Sequence, residues 1–168
     1  MSLAFTNRVS QTLHDEHCSN VALMERLARI IAHHRHGPPD PADQAVAQLL
    51  ADLPASLEAE VRRHFAFEEE RLFPYLAAVG AAAIGEHLTE DHAAIHPLGV
   101  RIAALARDAA ARGFDAASWE EFCRSGRELC ERMLAHVQKE EMALLPLVED
   151  TMDAEITAQL LQDYLESV

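Results

Sequence analysis

The sequence predicts an all-α fold, an up-down-up-down four-helix bundle with short extra helices. Three observations predict it. Apolar residues recur at helical spacing, as in Leu13, Val21, Met24, Leu27 and Ile31. Glycine is scarce, 6 in 168 residues, and no stretch alternates β-branched and polar residues between hairpin turns. A phrase also repeats. His64-Phe65-Ala66-Phe67-Glu68-Glu69, followed by Leu72-Phe73-Pro74, returns 72 residues later as His136-Val137-Gln138-Lys139-Glu140-Glu141, followed by Leu144-Leu145-Pro146. One helical hairpin cannot bury its own apolar stripe, so a repeated hairpin implies two packed together. The expected arrangement is a single domain over 1–168, made of hairpins at about 8–79 and 86–149 and a short C-terminal helix.

The first long helix is expected from about Asn7–Ser10 to near His36, with Gly37 at its C-terminal cap and Pro38-Pro39 beyond. Asp40-Pro41 reads as the start of a short helix reaching about Asp52. Pro54 then opens a second long helix, bent or ended at Pro74. Gly80 and Gly85 mark a break before a third helix, from about Glu86 to Arg112, in which Pro97 should produce a kink. Asp115 caps a fourth helix from about Ala116 to Glu149, and Asp153 starts the last one. Pro74 and Pro146 occupy equivalent places in the two repeats, which points to a shared structural device.

Composition excludes several classes. Hydrophobic residues at 49% rule out wholesale disorder. A formal charge of −14, with 28 acidic against 14 basic residues, argues against nucleic acid and anionic membrane surfaces as partners. With no apolar run of membrane-spanning length and no leader pattern, a cytoplasmic location is expected. Cys18, Cys123 and Cys130 form no CxxC pair and fit reduced thiols.

The repeated phrase carries the chemistry. Positions i and i+4 lie one above the other on a helix, so His64/Glu68 and His136/Glu140 each project an imidazole and a carboxylate the same way. Each copy follows an acidic-His pair, Glu16-His17 and Asp91-His92, and His96 lies four residues past His92. A lone histidine on an apolar stripe is more often a hydrogen-bonded core residue than a ligand. A buried glutamate is costly unless paired or metal-bound, however, and two in register beside facing histidines fit coordination better. The candidate metal ligands are therefore His17, His64, Glu68, His92, His96, His136 and Glu140. Helix geometry favours Glu140 over Glu141, which is rotated by roughly 100°. Glu69, Glu70 and Glu141 read as surface charges or supporting groups, as does His14 beside His17. His33, His34 and His36 read as exposed residues at a helix C-terminus.

These residues resemble the hemerythrin family, specifically its HHE cation-binding domains, through H-x-x-x-E-E-x-x-x-F/L-P occurring twice, each time after an acidic-His pair. The resemblance implies two iron ions in a non-haem di-iron centre, bridged by two carboxylates and capped by histidines. His17 matches the single first-helix ligand, His64 and Glu68 the second-helix pair, His92 and His96 the third-helix pair, and His136 the fourth-helix histidine. The last carboxylate is Glu141 by the pattern of the oxygen carriers and Glu140 by that of the HHE domains. His96 is the more carrier-like feature.

The expected function is a di-iron protein that binds or senses dioxygen, nitric oxide or iron, and is not a strong catalyst. Ferritin-like sites use Glu-x-x-His on two helices with extra glutamates, and no inward-facing Glu-x-x-His pair recurs here. An alternative is weak peroxide or nitric-oxide processing, or iron donation in repair. A remote alternative is a histidine phosphotransfer bundle using His136, with Lys139 three residues on.

Overall fold

The structure, a computed structural model, describes residues 5–166, the side chain of Val61 apart. The first four and last two positions of the expected 1–168 unit lie outside these residues. Among the described residues there are four long rods and one short helix, with no strand. The rods form a ring in which each packs on two neighbours. No helix among the described residues is long and apolar enough to cross a membrane.

Helix α1 (Arg8–His33) starts behind Asn7, whose side chain accepts from the Val9 and Ser10 amides. It stops three residues short of the expected end, and Gly37 is not its left-handed cap. The Trp119 indole donates to the His34 carbonyl at 3.2 Å, and Gly37 N–H closes a turn onto the same residue.

Rod α2 (44–78) replaces the two helices expected on either side of Pro54. Asp43 caps it by accepting from the Ala45 and Val46 amides, and Pro54 lies buried inside its first segment, Gln44–Ala59. An interior proline costs roughly 3 kcal/mol. Leu49, Leu50, Leu53 and Leu57 are all buried on this segment, at about 1.5–3 kcal/mol each, so burial outweighs the break.

Helix α3 (Ala82–Arg112) follows a tight reversal. Gly80, at φ 89°, lets the Ala81 and Gly80 amides fold back onto the Leu76 and Ala77 carbonyls. The helix runs unbroken past Pro97, which is exposed, so the carbonyl left without an amide partner is open to water. Rod α4 (116–151) starts with a capping box between Asp115 and Ser118. Helix α5 (Ala154–Glu166) buries Leu160, Leu161 and Tyr164 against the bundle.

The matched prolines mark a device the two hairpins share. Ahead of Pro74 and Pro146 the helix widens into π turns, Glu68–Leu72 and Glu140–Leu144. The carbonyls of Glu68 and Glu140 accept from the amides of Phe73 and Leu145, five residues on. Proline cannot supply the normal i to i−4 bond and clashes with the preceding turn; an extra residue in the turn relieves both problems. A further π turn, Glu60–Phe65, carries His64.

Two apolar clusters fill the bundle. One gathers Leu27, Leu53, Ile102, Phe122 and Leu129; the other gathers Leu13, Leu72, Phe73, Leu88 and Leu144. Between them in every rod lies a buried polar layer: His17, His64, Glu68, His92, His136 and Glu140. Gly85 admits Phe73 to this region, since a Cβ at Gly85 would stand 2.8 Å from that of Phe73. Gly85→Ala is therefore expected to cost about 1–3 kcal/mol, read as a lower denaturant midpoint at unchanged slope.

Candidate metal centre

The polar layer divides into two imidazole pairs that share two carboxylates. Glu140 presents Oε2 to His17 Nε2 at 2.8 Å and to His64 Nε2 at 3.9 Å. Its other oxygen, Oε1, faces His136 Nε2 at 3.0 Å and His92 Nε2 at 4.0 Å. Glu68 divides likewise, with Oε1 3.4 Å from His64 Nε2 and Oε2 3.3 Å from His92 Nε2. One cation could thus lie among His17, His64 and Glu140, and another among Glu68, His92, His136 and Glu140.

All four Nε2 atoms and all four carboxylate oxygens of these six residues are buried without a hydrogen bond. Each such group carries a desolvation penalty of about 1–3 kcal/mol or more. Among the described residues, no lysine or arginine pairs with the layer's carboxylates, and imidazoles face them. Neutral imidazole and carboxylate suit first-row transition ions, so the donor set fits bound metal.

Three of the four outward nitrogens are braced. His17 Nδ1 donates to Glu141 at 2.6 Å, His64 Nδ1 to Glu16 at 2.9 Å and His92 Nδ1 to Glu69 at 2.7 Å. His136 Nδ1 stands 3.5 Å from Asp91, whose oxygens Lys139 binds at 3.0 and 2.7 Å. An acceptor on Nδ1 fixes the tautomer that leaves Nε2 free to ligate. Each of these acids neighbours a residue of the layer: Glu16 precedes His17, Asp91 precedes His92, Glu69 follows Glu68 and Glu141 follows Glu140. Each also reaches a different rod from its own. His14 shares Glu141, at 2.9 Å, which makes it a supporting group.

Electrostatics follow the same geometry. Burial disfavours a charged His17, but the facing Glu140 carboxylate and the bond to Glu141 outweigh that and raise its pKa to about 9. His64 rises well above its ordinary value against burial, through Glu60, Glu68 and Glu140. His136 also rises, through Glu140 and Glu68. Burial would raise the Glu140 carboxyl; the surrounding imidazoles instead hold it well below the usual range. Bound cations would take over the role of balancing the buried carboxylate charge.

Of the seven residues expected in the site, His17, His64, Glu68, His92, His136 and Glu140 come together. His96 does not: it is exposed, in the outer groove between α2 and α3, beside Leu57, Arg62, Gly99 and Val100. The buried stripe of α3 steps 88, 92, 95, 99, 102, alternating four and three, and this spacing passes over 96. Phe65 stacks on the His92 ring at 3.8 Å between centroids and covers its face. His96→Ala is therefore expected to leave ion stoichiometry and affinity unchanged in an equilibrium titration. Glu140, not Glu141, enters the layer, and Glu141 braces His17.

In the sequence Glu16 and Asp91 stood out only as acidic neighbours of His17 and His92, and Glu69 and Glu141 as surface charges or supporting groups. Glu60 was missed altogether; it is buried beside His64 and accepts from the Asn20 amide at 2.5 Å. Its signal was a glutamate four residues before His64, on the same face.

No curated protein matches the chain. The family model for the hemerythrin HHE cation-binding domain matches residues 8–148, which takes in both hairpins and every residue of the buried layer. The chain belongs to the hemerythrin HHE cation-binding family.

Proposed function

We propose that the protein holds two iron ions and uses them to bind or sense a small diatomic molecule, dioxygen or nitric oxide. His17 and His64 would hold one ion and His92 and His136 the other, with Glu68 and Glu140 shared between them. One observation carries this reading: each buried glutamate directs one oxygen at each imidazole pair. A single-ion site has no use for that division. Four neutral donors against two carboxylates give less negative charge than a ferritin-like site, which favours ferrous iron and reversible uptake.

Bound iron would supply redox-active positions at which a diatomic molecule is taken up. The chain's own residues set the surroundings. Phe65 and Phe73 stack against His92, and the apolar clusters on either side exclude water from the layer. The hydrogen bonds at Nδ1 keep the Nε2 atoms of His17, His64 and His92 directed inward. Phosphotransfer through His136 is disfavoured, because its ring is 1% exposed and a phosphoryl donor could not reach it.

The test is anaerobic loading with ferrous iron followed by dioxygen or nitric oxide. The expected result is a new visible absorption that reverses when the gas is removed. No spectral change with either gas contradicts the reading. Steady turnover of peroxide or nitric oxide, lost in Glu68→Ala, would point instead to the enzymatic alternative.

A further inference from the structure

We propose that Tyr164 is a positioning residue for the His17/His64 half of the centre, acting through Glu16, so that ion binding and the seating of α5 are coupled. The proposal rests on the paired-ion reading above. Helix α5 lies beyond residues 8–148, so the coupling is an addition to the family-matched region.

Glu16 gathers three donors. Its Oε1 accepts from Arg63 at 2.5 Å, and its Oε2 accepts both from His64 Nδ1 at 2.9 Å and from the Tyr164 hydroxyl. One carboxylate oxygen thus joins a residue of the ion layer to a residue of the last helix. Tyr164 is buried, its ring 4.7 Å from that of Phe67 and 5.1 Å beneath the Arg63 guanidinium. A hydroxyl fixed in this way restricts where Glu16 can point, and Glu16 restricts the His64 ring.

The second hairpin provides the contrast. Asp91 is bound at both oxygens by Lys139 and stands 3.5 Å from His136 Nδ1, outside the span of a good hydrogen bond. The two halves of the centre therefore have unequal support. Coupling of this kind is reciprocal: if a seated α5 strengthens ion binding at His64, ion binding must steady α5 by the same factor.

The experiment uses the full chain with zinc(II), which is redox-silent, and repeats it with ferrous iron under anaerobic conditions. Hydrogen exchange of 154–166 is measured with and without metal, alongside a titration of both sites. In the unaltered protein, metal should slow exchange in α5. Tyr164→Phe should weaken one of the two sites by about 10-fold, within the range for loss of a supporting partner, and leave the other unchanged. It should also abolish the metal-dependent slowing. Glu16→Gln should weaken the same site, and the double variant should lose little more than Glu16→Gln alone, because both act along one path. A merely structural tyrosine would speed exchange equally with and without metal and leave both affinities alone, which overturns the proposal. Additive losses in the double variant would overturn it too. Two bound ions with no response in α5 sink this inference alone; no binding of either metal sinks the paired-ion reading with it.

Discussion

Replacing Glu140 by glutamine is expected to reduce ion content from two per chain to at most one, and to weaken any remaining binding by more than about 100-fold. Loss of a supporting partner typically costs about 10–100-fold in metal affinity. Glu140 stands within 4.0 Å of all four imidazole Nε2 atoms and is the residue common to both candidate cation groups. An amide keeps the shape and removes the charge, so both positions suffer at once. Glu141→Gln offers the sharpest comparison. It leaves the layer's two carboxylates in place and replaces the charged acceptor of His17 Nδ1 by a neutral one, so a loss of up to about tenfold at one position is expected. Equilibrium dialysis with metal analysis reads both variants, and equal losses would contradict the assignment of Glu140 as the shared bridge.

Stripping the ions should lower the melting temperature substantially. A ligand at 1,000 times its dissociation constant stabilises a fold by about 4.1 kcal/mol. A domain of this size shifts by roughly 2–4 °C per kcal/mol. Each ion is therefore worth roughly 8–16 °C, which a chelator should remove and added metal restore. The ion-free protein should also respond to pH. The His17 pKa is raised to about 9, so its stabilisation is complete below about pH 6.5 and is lost as pH rises through about 9. Glu16 is a depressed carboxylate: burial pushes it up, but its bonds to His64 and Tyr164 bring it down to about 2. Its contribution is complete above about pH 4.5 and is lost as pH falls through about 2. Ion-free melting temperature should accordingly fall between pH 7 and 9, while the loaded protein, whose rings are held by metal, should change little. Thermal unfolding at matched pH, with and without chelator, measures both effects.

How far the sequence could be read depends on the residue. His64/Glu68 and His136/Glu140 were legible because an i, i+4 pair needs only one helix to define its direction. His96 misled by the same rule. Two histidines four apart share a face loosely, and the four-and-three stepping that excludes 96 is set by the neighbouring rods. Pro54 misled because its local penalty is smaller than the burial of the leucines around it. The supporting acids were legible as candidates, but their partners were not. Glu16, Glu69, Asp91 and Glu141 each point about 100° away from their neighbour in the layer and act on another rod, so rod spacing decides their partner. The π turns left one trace, the matched prolines Pro74 and Pro146. Tyr164 left none, since its contact with Glu16 joins positions 148 apart.

Anomalous diffraction at the iron edge, from crystals of the ferrous-loaded protein, tests the paired centre most directly. Two peaks are predicted, about 3.5–4 Å apart, flanked by Glu68 and Glu140, with His17 and His64 on one and His92 and His136 on the other. A single peak, or peaks only at exposed positions such as His96, would contradict it.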